Sequence, residues 1–369
     1  MKRLLLLGGG HAHLHVLKSL AEKPLPGVAV TLMSPYPRQV YSGMLPGWVS
    51  GHYAIEDCVV PLAPLCRAAG VTFVEAAVTR IDFSTCVAHS SRQGEAPFDV
   101  LSIDTGPTAN VSVIPGAAEH ATSVRPLESF IDAYPRIAAE VAARAHAGKD
   151  SRIVFVGGGA AGVELSLSMH HALRALRATF ALVSAENTLP GRVGPRLHRL
   201  MRERRFRVLT HARAKKISEG EVTLENGEVI AADFVIVSLG ASAATWPTES
   251  GLRTDKDGFI SVNDHLQSTS HHNVFAVGDA ASMVNFTRPK SGVYAVRAGP
   301  PLAENLRRYL GGEELIAHVP QKRSLYLVST GDRYAVGSWG ALSWEGRSVW
   351  RWKDWIDRGF VKKYLPAKA

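Results

Sequence analysis

Short apolar runs recur along the chain, and two of them lead straight into three glycines. Residues 4–7 precede Gly8–Gly9–Gly10, and residues 153–156 precede Gly157–Gly158–Gly159. Runs this short, bounded by glycine, predict buried strands. After the first turn Leu14, Leu17 and Leu20 recur at helical spacing and predict a helix over 13–22. Further strands are predicted at 28–33, 71–78, 87–89 and 100–104, and an Ala-rich helix at 129–147. Residues 35–53, rich in Pro, Gly, Tyr and Ser, predict a long loop. The pattern then restarts with a strand at 153–156, a helix at 162–176 and a strand at 180–183. Residues 222–224 and 228–230, around Asn226–Gly227, predict a hairpin. Strands at 234–239 and 274–277 follow, then a helix at 291–310 and strand-like runs at 325–329 and 334–338. Repeated strand–helix–strand units around two glycine turns predict two doubly wound α/β domains.

Glycine at such turns suits a pyrophosphate. The first turn of a helix offers unpaired N–H groups and the positive end of its dipole. Without a Cβ in the way, the backbone can approach the phosphates closely. Gly157, Gly159 and Gly162 complete G-x-G-x-x-G after their strand. In the first copy Gly8 and Gly10 fit, but His13 replaces the third glycine. Either that helix stands off the sheet or the facing strand is small there. The acid expected at the end of each second strand is also missing. Ser34 and Ser184 take its place, with Glu186 two residues on. A serine holds a ribose hydroxyl more weakly than a carboxylate does. It also lacks the charge that would repel a 2′-phosphate, so both NADH and NADPH stay open; Arg192 is a candidate for such a phosphate, set against the reading of a solvated surface arginine.

Composition narrows the classes. The chain is 46% hydrophobic and 20% charged, which suits a globular protein. Its net charge of +9 favours anionic cofactors or lipids. No Lys/Arg tract interleaved with aromatics marks a nucleic-acid surface, and no nucleic-acid partner is expected. Cys58, Cys66 and Cys86 form no CxxC pair and are read as indifferent thiols of a reducing compartment. No set of His, Cys and acid residues has metal-ligand spacing, so no metal is expected. No stretch is long and apolar enough to span a bilayer. The expected location is the cytoplasm, with peripheral attachment to the inner face of the cell membrane open.

Two further strand ends complete a series. LSIDTG at 101–106 is similar to the crossover between the domains of two-dinucleotide flavoproteins. NVFAVGDAA at 273–281 is similar to their second FAD motif. In this order the four motifs resemble the pyridine nucleotide–disulfide oxidoreductase superfamily over nearly the whole chain. The stretches GGGHAHLHVL, YSGMLPGWVSGHY, PKSGVYAVRAGPPLAENL and STGDRYAVGSWG resemble its single-flavin type II NADH dehydrogenase branch. The NADH dehydrogenase-like domain found fused to selenide, water dikinase is the most similar of these. The resemblance implies two Rossmann-like domains, the second inserted in the first, plus a small C-terminal α+β region. The expected division is 1–115 and 251–310 for FAD, 116–250 for NAD(P) and 311–369 for the C-terminal region. It also implies FAD and NAD(P)H as cofactors, and a quinone or other small electron acceptor.

The resemblance assigns Gly8, Gly10, His11, Ser34, Gly106, Gly278, Asp279 and Gly292 to FAD. It assigns Gly157, Gly159, Gly162 and Ser184 to the nicotinamide nucleotide. Glu164 is expected near the nicotinamide and the acceptor, and Lys290 beside the flavin as a stabilising charge. Tyr41, Met44, Leu45 and Pro46 fall in the loop that would border the flavin ring. The departures are informative. Redox cysteines at disulfide-reductase or sulfide:quinone-reductase positions are missing, which implies electron transfer directly from the flavin. GVYAVRAG at 292–299 carries Arg297 and no Gln where relatives carry a quinone motif. A redox sensor with little turnover, and an enzyme of selenium or sulfur metabolites, are the alternatives. The tail places Val349, Trp352, Ile356 and Phe360 on one helical face among Lys and Arg. Residues 347–364 are therefore expected to lie on a membrane surface, or to pack on the flavin domain or a second copy in a homodimer.

Overall fold

In the computed structural model, which describes every residue except 93, 187, 188, 190 and 366–369, two parallel five-stranded sheets form the frame. The first runs in the order Val274–Ala276, Val100–Ile103, Lys2–Leu7, Val28–Ser34, Thr72–Glu75. The second runs Thr122–Ser123, Phe234–Val237, Ser151–Val156, Ala178–Val183, Arg207–Leu209. In both, the central strand is the one that enters a glycine turn. Every strand of the second sheet lies between Ile103 and Val274 in sequence, so the second unit is inserted in the first. The runs Leu4–Leu7 and Ile153–Val156 are buried on both faces, which is why they read as unbroken apolar blocks rather than alternating ones.

Helix His11–Glu22 follows the first turn and packs along helix Gly292–Gly311. The approach is close: a Cβ on Gly299 would stand 2.8 Å from the Cβ of His15. This brings the start of the second helix beside the first glycine turn. The expected long loop at 35–53 instead contains strand Arg38–Val40 and the short helix Leu45–Val49. The helix begins around Pro46, whose fixed φ suits a first turn. Its Leu45, Pro46 and Val49 are buried, which anchors it between the two units.

His13 settles how the first helix manages without its third glycine. The ring is fully buried and lies across Ser102, a small residue on the adjacent strand. Its Nδ1 is 2.6 Å from the Gly8 carbonyl oxygen and its Nε2 is 2.8 Å from Ser102 Oγ. A carbonyl only accepts, so Nδ1 carries the proton and the Ser102 hydroxyl donates to Nε2. Burial holds the imidazole below its usual pKa, against the opposing pull of Asp104. The stability this contributes is present above the unfolded-state pKa near 6.5 and falls away as pH drops toward the lower folded value. His13→Ala is expected to destabilise the protein by about 2–4 kcal/mol through a cavity and two stranded polar groups. Denaturant melts at pH 7.5 and pH 5 check this, with the variant's deficit smaller at the acid pH.

The C-terminal region is a three-stranded antiparallel sheet, Tyr326–Ser329, Ala335–Trp339 and Leu342–Gly346, followed by helix Arg347–Tyr364. The buried face of that helix is Val349, Lys353, Asp357, Val361 and Tyr364. This corrects the expected face: Trp352 is exposed, and Ile356 and Phe360 are half-buried. A hydrophobicity pattern places Lys and Asp outside, but here they are buried together as an ion pair. No described helix is long and apolar enough to cross a membrane.

Candidate functional site

The first glycine turn opens onto a cavity lined by Gly8, Gly10, His11, Ser34, Gly106, Asp279 and Gly292 among others. These residues come from five separate stretches of chain, and the sheet order collects them at the C-terminal ends of adjacent strands. Gly278, also expected here, lies just behind the lining. Its φ is +65°, and a Cβ there would meet Asp104 Oδ1 at 2.6 Å. Gly8 and Gly10 are needed for the same reason. Their Cβ atoms would stand 2.5 Å from the Asp104 carbonyl oxygen and 2.3 Å from its Cγ, respectively.

Asp104, the acid of LSIDTG, is a residue the sequence reading passed over. It is buried, and its Oδ2 accepts from the N–H groups of Ala12 at 2.8 Å and His13 at 3.0 Å. It thus caps the first helix from a neighbouring strand. The amides nearer the turn stay available to an anion. Two polar atoms of residues lining this cavity lack a partner among the described residues: His11 Nε2 and Asp279 Oδ1. Burial raises the Asp279 carboxyl above its ordinary pKa, although Arg125, Lys290 and Arg288 pull it back. Arg125 also lines the cavity, and its side chain hydrogen-bonds to no described residue. A cradle without Cβ atoms, orphaned donors and acceptors, and an unpaired guanidinium fit FAD.

The second glycine turn has the same build. Gly157 has φ +125°, and its Cβ would stand 2.0 Å from the Ser238 carbonyl oxygen. A Cβ on Gly162 would stand 2.1 Å from the Gly157 carbonyl oxygen, while one on Gly159 would meet open space. The helix that follows, Ala160–Leu173, points its start at a cavity of about 660 Å³. The far wall of that cavity comes from 285–289, Tyr294 and 320–328. Ser184 does not face it as expected. The side chain is fully buried against Gly158, and its Oγ accepts from the Glu186 N–H at 3.3 Å.

Between the two turns lies a cluster that no single motif contains. Lys353 Nζ donates to Asp357 Oδ2 at 2.6 Å and to the Gly43 carbonyl oxygen at 2.6 Å, and it stands 3.7 Å from Glu164 Oε1. Glu164 Oε1 also accepts the Ser329 N–H at 2.8 Å. Tyr41 lies beside Asp357 and stacks on Phe360 at 4.2 Å, and the His11 ring meets both aromatics. Burial alone would strip the proton from Lys353, but Asp357, Glu164 and Tyr41 more than offset it and hold the ammonium. Burial pushes the Glu164 carboxyl above its usual pKa despite Lys353, and Asp357 adds to the rise. Tyr41 is raised by burial and by Asp357. The signal for Lys353 and Asp357 was an i, i+4 pair of opposite charge inside the tail helix.

Lys290 is a correction. Its ammonium donates to the Ala281 carbonyl oxygen at 2.7 Å and sits 3.6 Å above the Phe259 ring, outside the lining of both cavities. Desolvation there pushes its pKa down to about 8. Arg288, two residues earlier, turns inward instead. It lines the larger cavity beside Tyr294; its Nη2 donates to the Gly278 carbonyl oxygen, and its buried Nε and Nη1 have no partner among the described residues. Lys290→Ala is expected to change the rate of flavin reduction by less than about twofold, and Arg288→Ala to lower it by roughly tenfold or more. Single-turnover absorbance at the flavin band reads both.

The pyridine nucleotide–disulphide oxidoreductase family matches residues 2–299. The chain belongs to that family. Ferroptosis suppressor protein 1 of Xenopus tropicalis is 25% identical over 350 residues, covering 91% of this chain and 88% of the relative. Demethylphylloquinone reductase NdbB of Synechocystis is 25% identical over 295 residues, covering 76% and 72%. The structure of NDH2 from Plasmodium falciparum in complex with NADH superposes with a TM-score of 0.82 at 13% identity, over 99% of this chain and 97% of that one. The chain is a type II NADH dehydrogenase-like oxidoreductase, and its cofactors are FAD and a nicotinamide dinucleotide.

Proposed function

We propose that the protein passes electrons from NAD(P)H through FAD directly to a quinone, with the Glu164–Lys353–Asp357 cluster handling the accompanying proton. The cluster is the observation that carries this reading. It joins the nicotinamide turn, the loop at Gly43 and the C-terminal helix at one buried point.

Bound FAD would accept a hydride from the nicotinamide and release two electrons to the acceptor. Around it, Gly8, Gly10 and Gly106 leave room for the cofactor, Arg125 offsets phosphate charge, and His11 and Asp279 satisfy its hydroxyl or phosphate oxygens. The start of helix Gly292–Gly311 lines the same cavity and would offer its positive end to the bound cofactor. A quinone that takes two electrons also takes two protons. Glu164, with its pKa raised, holds a proton to higher pH than an ordinary carboxyl, on the oxygen that does not accept the Ser329 N–H. Lys353 faces that carboxyl as its nearest cation.

Thiols take no part in this reading. Burial pushes Cys58 and Cys66 up to about 12, so neither is a thiolate at neutral pH. Replacing all three cysteines with serine is expected to keep quinone turnover within about threefold. Loss of turnover in a folded, FAD-loaded variant would return the chemistry to disulfide exchange.

An exposed aromatic patch supports the same reading. Trp339 and Leu342 on the C-terminal hairpin and Trp352 and Trp355 on the helix are exposed beside Arg347 and Arg351. Aromatic rings with flanking cations suit an anionic bilayer surface, where a quinone would be met.

The test is steady-state quinone reduction across pH with Glu164→Gln alongside. The wild-type rate should fall as pH rises through the raised Glu164 pKa, and the variant should be slow and flat over that range. Parallel profiles in the two proteins would remove Glu164 from the proton path.

A further inference from the structure

Opposite the second glycine turn, the 660 Å³ cavity brings together cations from distant parts of the chain. Arg192 follows the strand whose end normally meets the adenosine ribose. Lys322 and Arg323 come from the segment before the C-terminal sheet and line the same cavity. All three are exposed, and none forms an ion pair with a described residue. No Asp or Glu lines the cavity among the described residues.

The ribose end is equally telling. Specificity for NADH usually comes from a carboxylate that binds both ribose hydroxyls and repels a 2′-phosphate. Ser184 stands at that position, and it is buried and committed to the Glu186 N–H. Its Oγ packs against Gly158, where a Cβ would stand 2.1 Å away. Glu186 is exposed and outside the cavity lining. The site therefore lacks the usual means of rejecting a 2′-phosphate, and Arg192, Lys322 and Arg323 are the exposed cations of its lining, beside a half-buried Arg288 whose Nη2 donates to the Gly278 carbonyl oxygen.

Resting on the reading of this cavity as the nicotinamide nucleotide cleft, we infer that the protein selects NADPH over NADH, with Arg192, Lys322 and Arg323 recognising the 2′-phosphate. A phosphate of charge near −2 between two guanidinium groups and an ammonium makes charge-assisted hydrogen bonds that NADH does not make. The pyrophosphate, common to both nucleotides, is served by the helix start at Ala160 and does not discriminate.

The experiment uses the FAD-loaded full chain under anaerobic conditions, with NADPH and NADH as reductants and 2′,5′-ADP as a redox-inert probe. In the wild type, kcat/KM for flavin reduction should favour NADPH by roughly tenfold or more. The triple change Arg192→Ala, Lys322→Ala, Arg323→Ala should lower the NADPH value by roughly a hundredfold and the NADH value by less than about threefold. Calorimetric binding of 2′,5′-ADP should be lost in the same variant. A wild-type preference for NADH, or an NADPH preference that survives the triple change, overturns the inference. If neither nucleotide bleaches the flavin while 2′,5′-ADP binds and the variant loses it, the phosphate site stands and the hydride-transfer reading falls. If 2′,5′-ADP fails to bind the wild type, the inference falls whatever the reductants do.

Discussion

Gly10→Ala is expected to give a folded protein that purifies without FAD, whereas Gly162→Ala keeps its FAD and no longer responds to nucleotide. The two substitutions add the same methyl group to equivalent turns. At Gly10 the new Cβ would stand 2.3 Å from Asp104 Cγ and 2.4 Å from the Asp104 carbonyl oxygen. That carbonyl belongs to main chain just past the inner strand Val100–Ile103, so it cannot swing aside. The turn must lift off the sheet, and the amides aimed at the pyrophosphate move with it. Losing one or two charge-assisted hydrogen bonds at roughly 1.5–3 kcal/mol each weakens FAD by about a hundredfold or more. At Gly162 the Cβ would stand 2.1 Å from the Gly157 carbonyl oxygen, which displaces the second turn in the same way and leaves the first intact. The flavin-to-protein absorbance ratio reads the first effect and anaerobic bleaching reads the second. The reverse pattern, with Gly10→Ala yellow and Gly162→Ala colourless, would exchange the two assignments.

Lys353→Met should be the most damaging change in the C-terminal helix, and its damage should grow with pH. The wild-type ammonium neutralises Asp357 at 2.6 Å and faces Glu164 at 3.7 Å. Methionine fills the space but leaves two carboxyl groups buried without their cation. Removing one partner of a buried pair typically costs about 3–5 kcal/mol. Both carboxyls already lie above their ordinary pKa through burial, and loss of the lysine raises them further. A group raised in the folded state contributes its stability below the unfolded pKa and loses it as pH rises through the folded one. The deficit of Lys353→Met should therefore be small at pH 5 and large at pH 8, and Lys353→Met combined with Asp357→Asn should recover part of it. Quinone turnover is expected to fall by roughly a hundredfold through displacement of Glu164. A deficit equal at both pH values would mean that Lys353 acts by packing alone.

The frame was legible because its signals are local. Unbroken apolar runs at 4–7 and 153–156, each ending in three glycines, can only be central strands entering tight turns. The order of the glycine turns, LSIDTG and NVFAVGDAA then placed FAD and nucleotide on separate sheets. His13 shows the limit of such reading. Its position announced a departure, but the solution depends on Ser102, a residue 89 positions away that only the sheet register brings alongside. The same holds for Asp104, whose role as a cap exists only because its strand lies next to the first helix.

The C-terminal helix failed in a different way. Its face was chosen by hydrophobicity, and a buried Lys353–Asp357 pair defeats that rule because each charge stabilises the other. Lys290 was expected beside the flavin, and Arg288 was passed over. Both are cations just before a helix start, and sequence cannot say which one turns inward. Phe259 and the Ala281 carbonyl capture the lysine, and Tyr294 steers the arginine.

The central claim is that electrons enter from a nicotinamide nucleotide, rest on FAD and leave directly for a quinone. Double-mixing anaerobic stopped-flow tests it in one measurement, with FAD-loaded protein first mixed with one equivalent of NADPH or NADH and then with a short-chain quinone. The expected result is loss of the oxidised flavin band in the first mix and its full return in the second, at a rate that rises with quinone concentration and is unchanged by prior thiol alkylation. Flavin that bleaches but stays reduced in the presence of quinone, or that reoxidises only when the thiols are free, would contradict it.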